Sequence, residues 1–431
     1  MNDRGGEGGS GGAGKSNYLL LLGAFSVSTV GDWLYRLALP LLVLRMTGSA
    51  LGTAAVYSLE YAPYVVFSLV GGVSADRFDR RRLMVTSDLL SALLVGLLAA
   101  LVSTGTQQVW MVYLGGFLLG AVRPFYHPAF QGLIPRLLPD SELPRANARV
   151  QMVESLLGFM GPVLGASVVL ALGITSSLFL DTVSFVLSAS AIAGIRAPRA
   201  AVAKVKTRIL DDLRAGYAYL KRDRVILSGS VVMAFSNVGL YAIEANFVFY
   251  LVGLRKMDVV AVGIVLGAQG AGSVVGAAIA PRVAARVRAG PLVIGSLTAA
   301  GLATALLIPA RSLPAIAAAW GLVGVFTMLV VVTWFTLRQR TIPSELFGRA
   351  VGFSRMLAFA TIPPASIAGG ALLGLTHSAA TLAAASAGVQ VGVALIGWFT
   401  ALRTAGAPTL EPAPAAVQEA RRAREPAASG G

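Results

Sequence analysis

Residues 72–83 read GVSADRFDRRRL and join one long apolar run to another. The first run ends near Val73, the arginines Arg77, Arg80, Arg81 and Arg82 follow, and the next run begins at Leu83. Arginines packed this tightly between hydrophobic stretches mark a cytoplasmic loop joining two transmembrane helices. The loop therefore implies a chain that crosses a membrane more than once.

Composition agrees. Of the 431 residues 56% are hydrophobic and 13% charged, whereas a soluble protein carries about 25% charged residues. A spanning helix needs roughly 20 apolar residues. Twelve segments qualify, near 18–44, 52–75, 83–103, 109–131, 148–172, 176–195, 226–252, 259–280, 290–309, 314–337, 350–373 and 379–402. The expected fold is an all-α membrane protein of twelve transmembrane helices in two pseudo-symmetric six-helix bundles, covering 17–196 and 225–404. Segment 197–224 is the cytoplasmic linker, and its part 208–221 is patterned as an amphipathic helix lying along the membrane surface. Residues 1–16, rich in glycine, and 405–431, rich in alanine and proline, read as disordered cytoplasmic ends.

The net charge of +15 would suggest nucleic acid in a soluble protein. Its placement argues otherwise. With the N-terminus inside, 28 of the 35 basic residues fall on the cytoplasmic side. The outer loops hold only Arg45, Arg255, Lys256 and Arg311. Such a bias puts both termini in the cytoplasm. Arginine-heavy usage with abundant Ala and Gly suggests a bacterium, hence its plasma membrane. The chain has no cysteine, so disulfides, thiol chemistry and cysteine metal sites are excluded.

The two halves echo each other. Ser-Glu-Leu followed by Arg-Ala occurs around Glu142 and again around Glu345. Residues 71–83 face 280–292 at nearly the same offset, with Ala285 where the first copy has Asp76. Repeated six-helix halves with a substrate site at their interface are a known transporter plan.

Four stretches carry a family resemblance: GDWLYRLALPLLVLRMTGSA (31–50), the 71–82 loop, RPFYHPAFQGLIPRLLPDSELPRAN (123–147) and GPVLGA (161–166). They resemble the major facilitator superfamily. The branch most similar is the twelve-helix bacterial exporters that include macrolide-efflux proteins and the enterobactin exporter. Asp79 replaces the loop motif's usual glycine and Ser74 its leucine, and Gly158 precedes Gly161 by three residues rather than four. The resemblance assigns Gly72, Asp76, Arg77, Arg80 and Arg81 to the loop motif that governs rocking of the halves. It sets Asp76 against the N-terminus of the eleventh helix, where an anion satisfies free N–H groups and the helix dipole. It gives Gly161, Pro162 and Gly165 to an antiporter motif, in which proline bends the helix and glycine admits close contact.

Ionisable groups within a span cost at least about 2.5–3.5 kcal/mol each, so each requires a reason. Asp32 lies mid-span with Arg36 four residues later, the favourable order for a pair on one helix face. Two readings stay open: a static salt bridge, or a carboxylate whose proton competes with Arg36 or with a cationic substrate. Glu60 precedes Pro63, and Asn237, Tyr241 and Glu244 share one stripe, as a cavity lining requires. A carboxylate held away from water can exchange its proton near neutral pH. Arg123 resembles the family's fourth-helix arginine, His127 lies one turn on, and Glu154 stands before the Gly-Pro. Asp88 and Asp181 read as interfacial or packing residues near helix ends. Trp33, Tyr57, Tyr61, Tyr64 and Phe247 either line a pocket for amphipathic compounds or form an interfacial aromatic belt.

There is no phosphate-binding Gly-x-x-x-x-Gly-Lys-Ser/Thr loop, and two distant histidines make no metal site. No enzyme activity and no cofactor is expected. The expected partners are a small-molecule substrate, protons and the lipid bilayer, with no nucleic acid, and the chain is expected to be a monomer. The leading functional expectation is a proton-coupled exporter of amphipathic drug-like or siderophore-like molecules. Its rivals are an importer of the same fold and a membrane sensor or assembly protein that transports nothing.

Overall fold

The computed structural model describes residues 8–195 and 209–406, and all of its regular structure there is helical. The helices are α1 (Gly8–Thr47), α2 (Ala50–Arg77), α3 (Arg80–Thr104), α4 (Val109–Leu137), α5 (Leu143–Gly194), α6 (Ile209–Arg222) and α7 (Arg224–Glu244). They continue as α8 (Val259–Ala284), α9 (Ala289–Ala305), α10 (Leu313–Thr341), α11 (Ser344–Ala360), α12 (Ile362–Thr376) and α13 (Ala379–Trp398). Among the described residues nine segments are long and apolar enough to cross a membrane.

The sequence sets where these helices begin and break. Side chains of Ser49, Asp79, Asp223 and Asp258 accept hydrogen bonds from free N–H groups of the helices they precede, the usual office of an N-cap. Asp79 thus has a structural role: the residue that departs from the loop motif's glycine starts α3. Inside α5, Gly173 takes φ 82° and ψ 170°, values closed to residues with a Cβ. It divides α5 into two helical runs, as the separate segments 148–172 and 176–195 anticipated. Between α11 and α12, Pro363 and Pro364 lack the N–H groups that a continuous helix requires.

Helix α1 lies against α5, α2 against α4, and α3 against both α4 and α5. In the second half α8 packs on α10, α9 on α10 and α13, and α7 on α12 and α13. The two sets meet where α5 touches α8 and α2 touches α12. The Gly-Pro segment lies in this contact: Gly161 is pressed against the Trp33 indole of α1, and Gly263 of α8 faces the Pro162 carbonyl. Leu89, Leu93 and Leu97 line one outward face of α3, with Leu93 65% exposed. An apolar surface of that kind fits hydrocarbon better than water.

One segment differs from expectation. Helix α1 begins at Gly8, inside the stretch 1–16 that its glycines marked as disordered. Close seating of Gly14 on the Leu137 carbonyl and a 2.9 Å Lys15–Glu142 salt bridge hold this start against α4 and the approach to α5. The linker's 209–222 part is helix α6, where an amphipathic helix was expected over 208–221, and it is strapped to α11. Gly216 faces the Arg349 carbonyl, and the Tyr217 and Phe353 rings lie 5.6 Å apart. The Tyr219 hydroxyl donates to the Thr341 carbonyl at 3.2 Å. Residues 1–7, 196–208 and 407–431 fall outside the described residues.

Of the loop motif, the surroundings of Gly72 and the side chains of Asp76 and Arg77 also lie outside what is described, so the expected Asp76 contact has no geometry here. Arg80 donates to the Gly132 carbonyl of α4, and Arg81 donates to the Ala193 carbonyl at the end of α5. A cation on the last carbonyls of a helix meets its negative dipole end. These two arginines therefore tie the start of α3 to both neighbours.

Candidate functional site

Arg123 is the hub of the buried charges. One guanidinium nitrogen lies 2.8 Å from Asp32 Oδ1, and another donates to Glu60 Oε1. The Arg123, Asp32 and Glu60 side chains are 20%, 24% and 10% exposed, so the cluster is largely shielded from water. Three helices supply it: Asp32 from α1, Glu60 from α2 and Arg123 from α4. Close approach of α2 to α4 makes this possible, because a Cβ at Gly120 would strike the Glu60 carbonyl. The Tyr35 ring lies beneath the guanidinium carbon at 5.7 Å.

The expected Asp32–Arg36 pair is therefore corrected. Asp32 is paired with Arg123, whose planar guanidinium can serve two carboxylates at once. Arg36 makes no salt bridge among the described residues and lies over the Trp33 ring at 5.3 Å. It is exposed to cavity space rather than packed.

Two cavities stack along α1 and share Arg36, Glu60 and Tyr61 in their walls. The larger, about 250 Å³, also meets Asp32, Arg123 and Asp88. The smaller, about 100 Å³, is closed by Trp33, Tyr57, Phe247, Glu244 and Gln269. Between the halves the rings of Tyr57 and Tyr61 stack at 4.8 Å. Tyr241 stands 6.3 Å from Tyr57, and Phe359 stands 6.3 Å from Tyr61. At least part of the aromatic cluster thus lines enclosed space rather than an interfacial belt.

Glu244 accepts hydrogen bonds from the Tyr57 hydroxyl at 3.2 Å and from Gln269 Nε2 at 3.4 Å. Both donors are neutral, in contrast to the arginine that holds Asp32 and Glu60. The Asn237 amide donates to the Ala358 carbonyl at 3.3 Å and clamps α7 to α11. Glu154 lies 3.7 Å from His127 Nε2, an ion-pair distance when the imidazole is charged.

Asp88 and Asp181 are packing residues. They are 2% and 0% exposed, deep within the first half rather than at interfacial ends. Ser188 donates to Asp88 Oδ2 at 2.7 Å and Ser184 to Asp181 Oδ1 at 3.2 Å, while Asp181 Oδ2 has no partner. Gly31 makes room for Asp181 beside α1, where any side chain would collide with it. Gln269 and Phe359 were missed. A glutamine in the apolar run 259–280 was a readable signal; Phe359 gave none, because only folding sets it opposite Tyr61.

Long helices with apolar outer faces, and charges paired between them beside cavities, are the architecture of a multi-pass membrane protein. Residues 21–365 match the model of the Major Facilitator Superfamily, and the chain belongs to that family. It is 27% identical over 222 residues to the uncharacterised MFS-type transporter YfiS of Bacillus subtilis (strain 168), covering 50% of this chain and 52% of that protein. Macrolide efflux protein A of Streptococcus pyogenes is 23% identical over 225 residues, 51% of this chain and 56% of that one. The chain thus spans about half the length of these relatives. Similarity to the multidrug efflux pump Tap of Mycolicibacterium fortuitum is longer, 27% over 383 residues, covering 85% of this chain and 92% of that one.

Two solved structures share the fold. A point mutant of the nucleoside transporter NupG aligns with TM-score 0.65 and 13% identity over 89% of this chain and 99% of that one. A bacterial homologue of the iron transporter ferroportin aligns with TM-score 0.66 and 15% identity, over 89% and 98%.

Proposed function

We propose that the chain is a proton-driven exporter of amphipathic small molecules, with twelve spans in two six-helix bundles. The two runs of α5 count as separate spans, α11 with α12 as one, and α6 as none. Arg123 held between Asp32 and Glu60 in the walls of the cavities carries this reading. Two acids on one arginine make the cluster sensitive to a single proton: neutralising either acid leaves the guanidinium with one charged partner. A cluster that re-pairs in this way couples proton binding to the helices that supply its members, here α1, α2 and α4. The cavities and aromatic rings between the halves supply the substrate surface. Likeness to a macrolide efflux protein and a multidrug efflux pump supports export over import.

The test is transport by purified protein in proteoliposomes. With erythromycin as probe, an imposed pH step is expected to drive movement against its gradient, and a protonophore to collapse it. Movement indifferent to the pH step, or driven by a sodium gradient instead, overturns the reading.

Orientation is tested separately, in the bacterial plasma membrane with both termini cytoplasmic and the chain a monomer. Because the chain lacks cysteine, Thr106→Cys introduces a single thiol in the exposed link between α3 and α4. That thiol is expected to react with an impermeant maleimide in intact cells. Reaction only after lysis reverses the topology.

A further inference from the structure

The charges facing the smaller cavity are not balanced in the way of the Arg123 cluster. Asp32 and Glu60 are both taken by Arg123. What remains is Arg36, with no hydrogen bond or ion pair among the described residues, and Glu244, held only by the neutral Tyr57 and Gln269 at 3.2 and 3.4 Å. Both face the same cavity, which Tyr57 and Tyr61 also line. A charge turned into a cavity is stabilised by a partner of opposite sign, and neither the exposed Arg36 guanidinium nor the half-buried Glu244 carboxylate has a salt bridge among the described residues. Arg36 and Glu244 come from opposite halves and make no salt bridge to each other among the described residues. Both groups therefore keep hydrogen-bonding capacity that a ligand in the cavity can take up.

We infer that the cavity takes an amphoteric, ring-bearing substrate, whose acidic group pairs with Arg36 and whose amine replaces the neutral donors on Glu244. A planar guanidinium matches a carboxylate by two parallel hydrogen bonds. The tyrosines give a ring system apolar area and faces that favour the adjoining cation. The two cavities sharing Arg36, Glu60 and Tyr61 together reach the lower part of the range for drug-sized sites, roughly 300–1,000 Å³. This inference rests on the proposal that the cavities are the transport site.

The probe is norfloxacin, which carries a carboxylate and a piperazine amine, compared with its ethyl ester and its N-acetyl derivative. Binding to the purified full-length protein is followed by the ring system's own fluorescence. The parent is expected to bind at least tenfold more tightly than either derivative. Arg36→Gln should erase the parent's advantage over the ester, and Glu244→Gln its advantage over the N-acetyl form. Arg36→Lys, which keeps the charge, should recover part of the first. A parent that binds no better than the ester in the wild type, including no binding by either, overturns the inference. So does an Arg36→Gln protein with unchanged preference. Erythromycin still driven by the pH step in that case leaves the exporter reading standing and removes only the amphoteric class.

Discussion

Replacing Arg123 by glutamine is expected to reduce pH-driven transport at least about 100-fold and to destabilise the protein by about 3–5 kcal/mol. The second figure is the usual consequence of removing one member of a buried ionic cluster, since the partners are left charged and shielded. Here two carboxylates, Asp32 and Glu60, lose their only salt-bridge partner among the described residues. Glutamine is near enough in size that lost packing is a minor part of the change. Thermal unfolding in detergent and efflux from proteoliposomes measure the two effects. The triple variant Arg123→Gln, Asp32→Asn, Glu60→Gln separates them: stability should return because no bare charge remains, while transport stays absent. A stable single variant that transports at the wild-type rate would show that the cluster is idle.

Asp32→Asn is the second large effect, and it should be selective. The amide oxygen still accepts a hydrogen bond from Arg123, and Glu60 still supplies a charge, so the fold and the cavities persist. Uphill efflux driven by a pH step should disappear, while downhill movement and binding survive within a few-fold. Glu60→Gln and Glu244→Gln should alter which compounds are carried more than whether a gradient is used. Proton release on adding substrate to the detergent-purified protein gives a direct reading, with wild-type release expected for Glu244→Gln and none for Asp32→Asn. The opposite pattern would move the coupling acid to Glu244.

Much of this was legible in the chain. Length and apolarity of the segments mark the helices, because hydrocarbon demands internally hydrogen-bonded spans of a definite length. The divide at Gly173 follows from local backbone chemistry and falls between the expected segments 148–172 and 176–195, whereas the break at Pro363–Pro364 interrupts the single expected span 350–373. Asp32, Glu60 and Glu244 stood out as residues that need partners, since the expense of a charge in a span can be read one residue at a time, and Arg123 stood out through the family resemblance.

Which partner each charge found was another matter. Four-residue spacing favoured Asp32 with Arg36, yet Asp32 is drawn to an arginine 91 positions away because α4 brings a fork that also reaches Glu60. Asn237 lies on the same stripe as Glu244, yet it is turned to the backbone of α11. Asp88 and Asp181 had been placed at helix ends, and the folded structure buries both among the serines of α5. Spacing along a helix ranks only the contacts within that helix, whereas these charges are satisfied by whichever helix the packing sets alongside. The sequence by itself determined that the chain crosses a membrane, where its helices start and break, and which residues are too polar for their surroundings. The tertiary structure decided the pairing of those residues and left Arg36 and Glu244 facing one cavity, because a buried charge is answered by three-dimensional proximity and not by order along the chain.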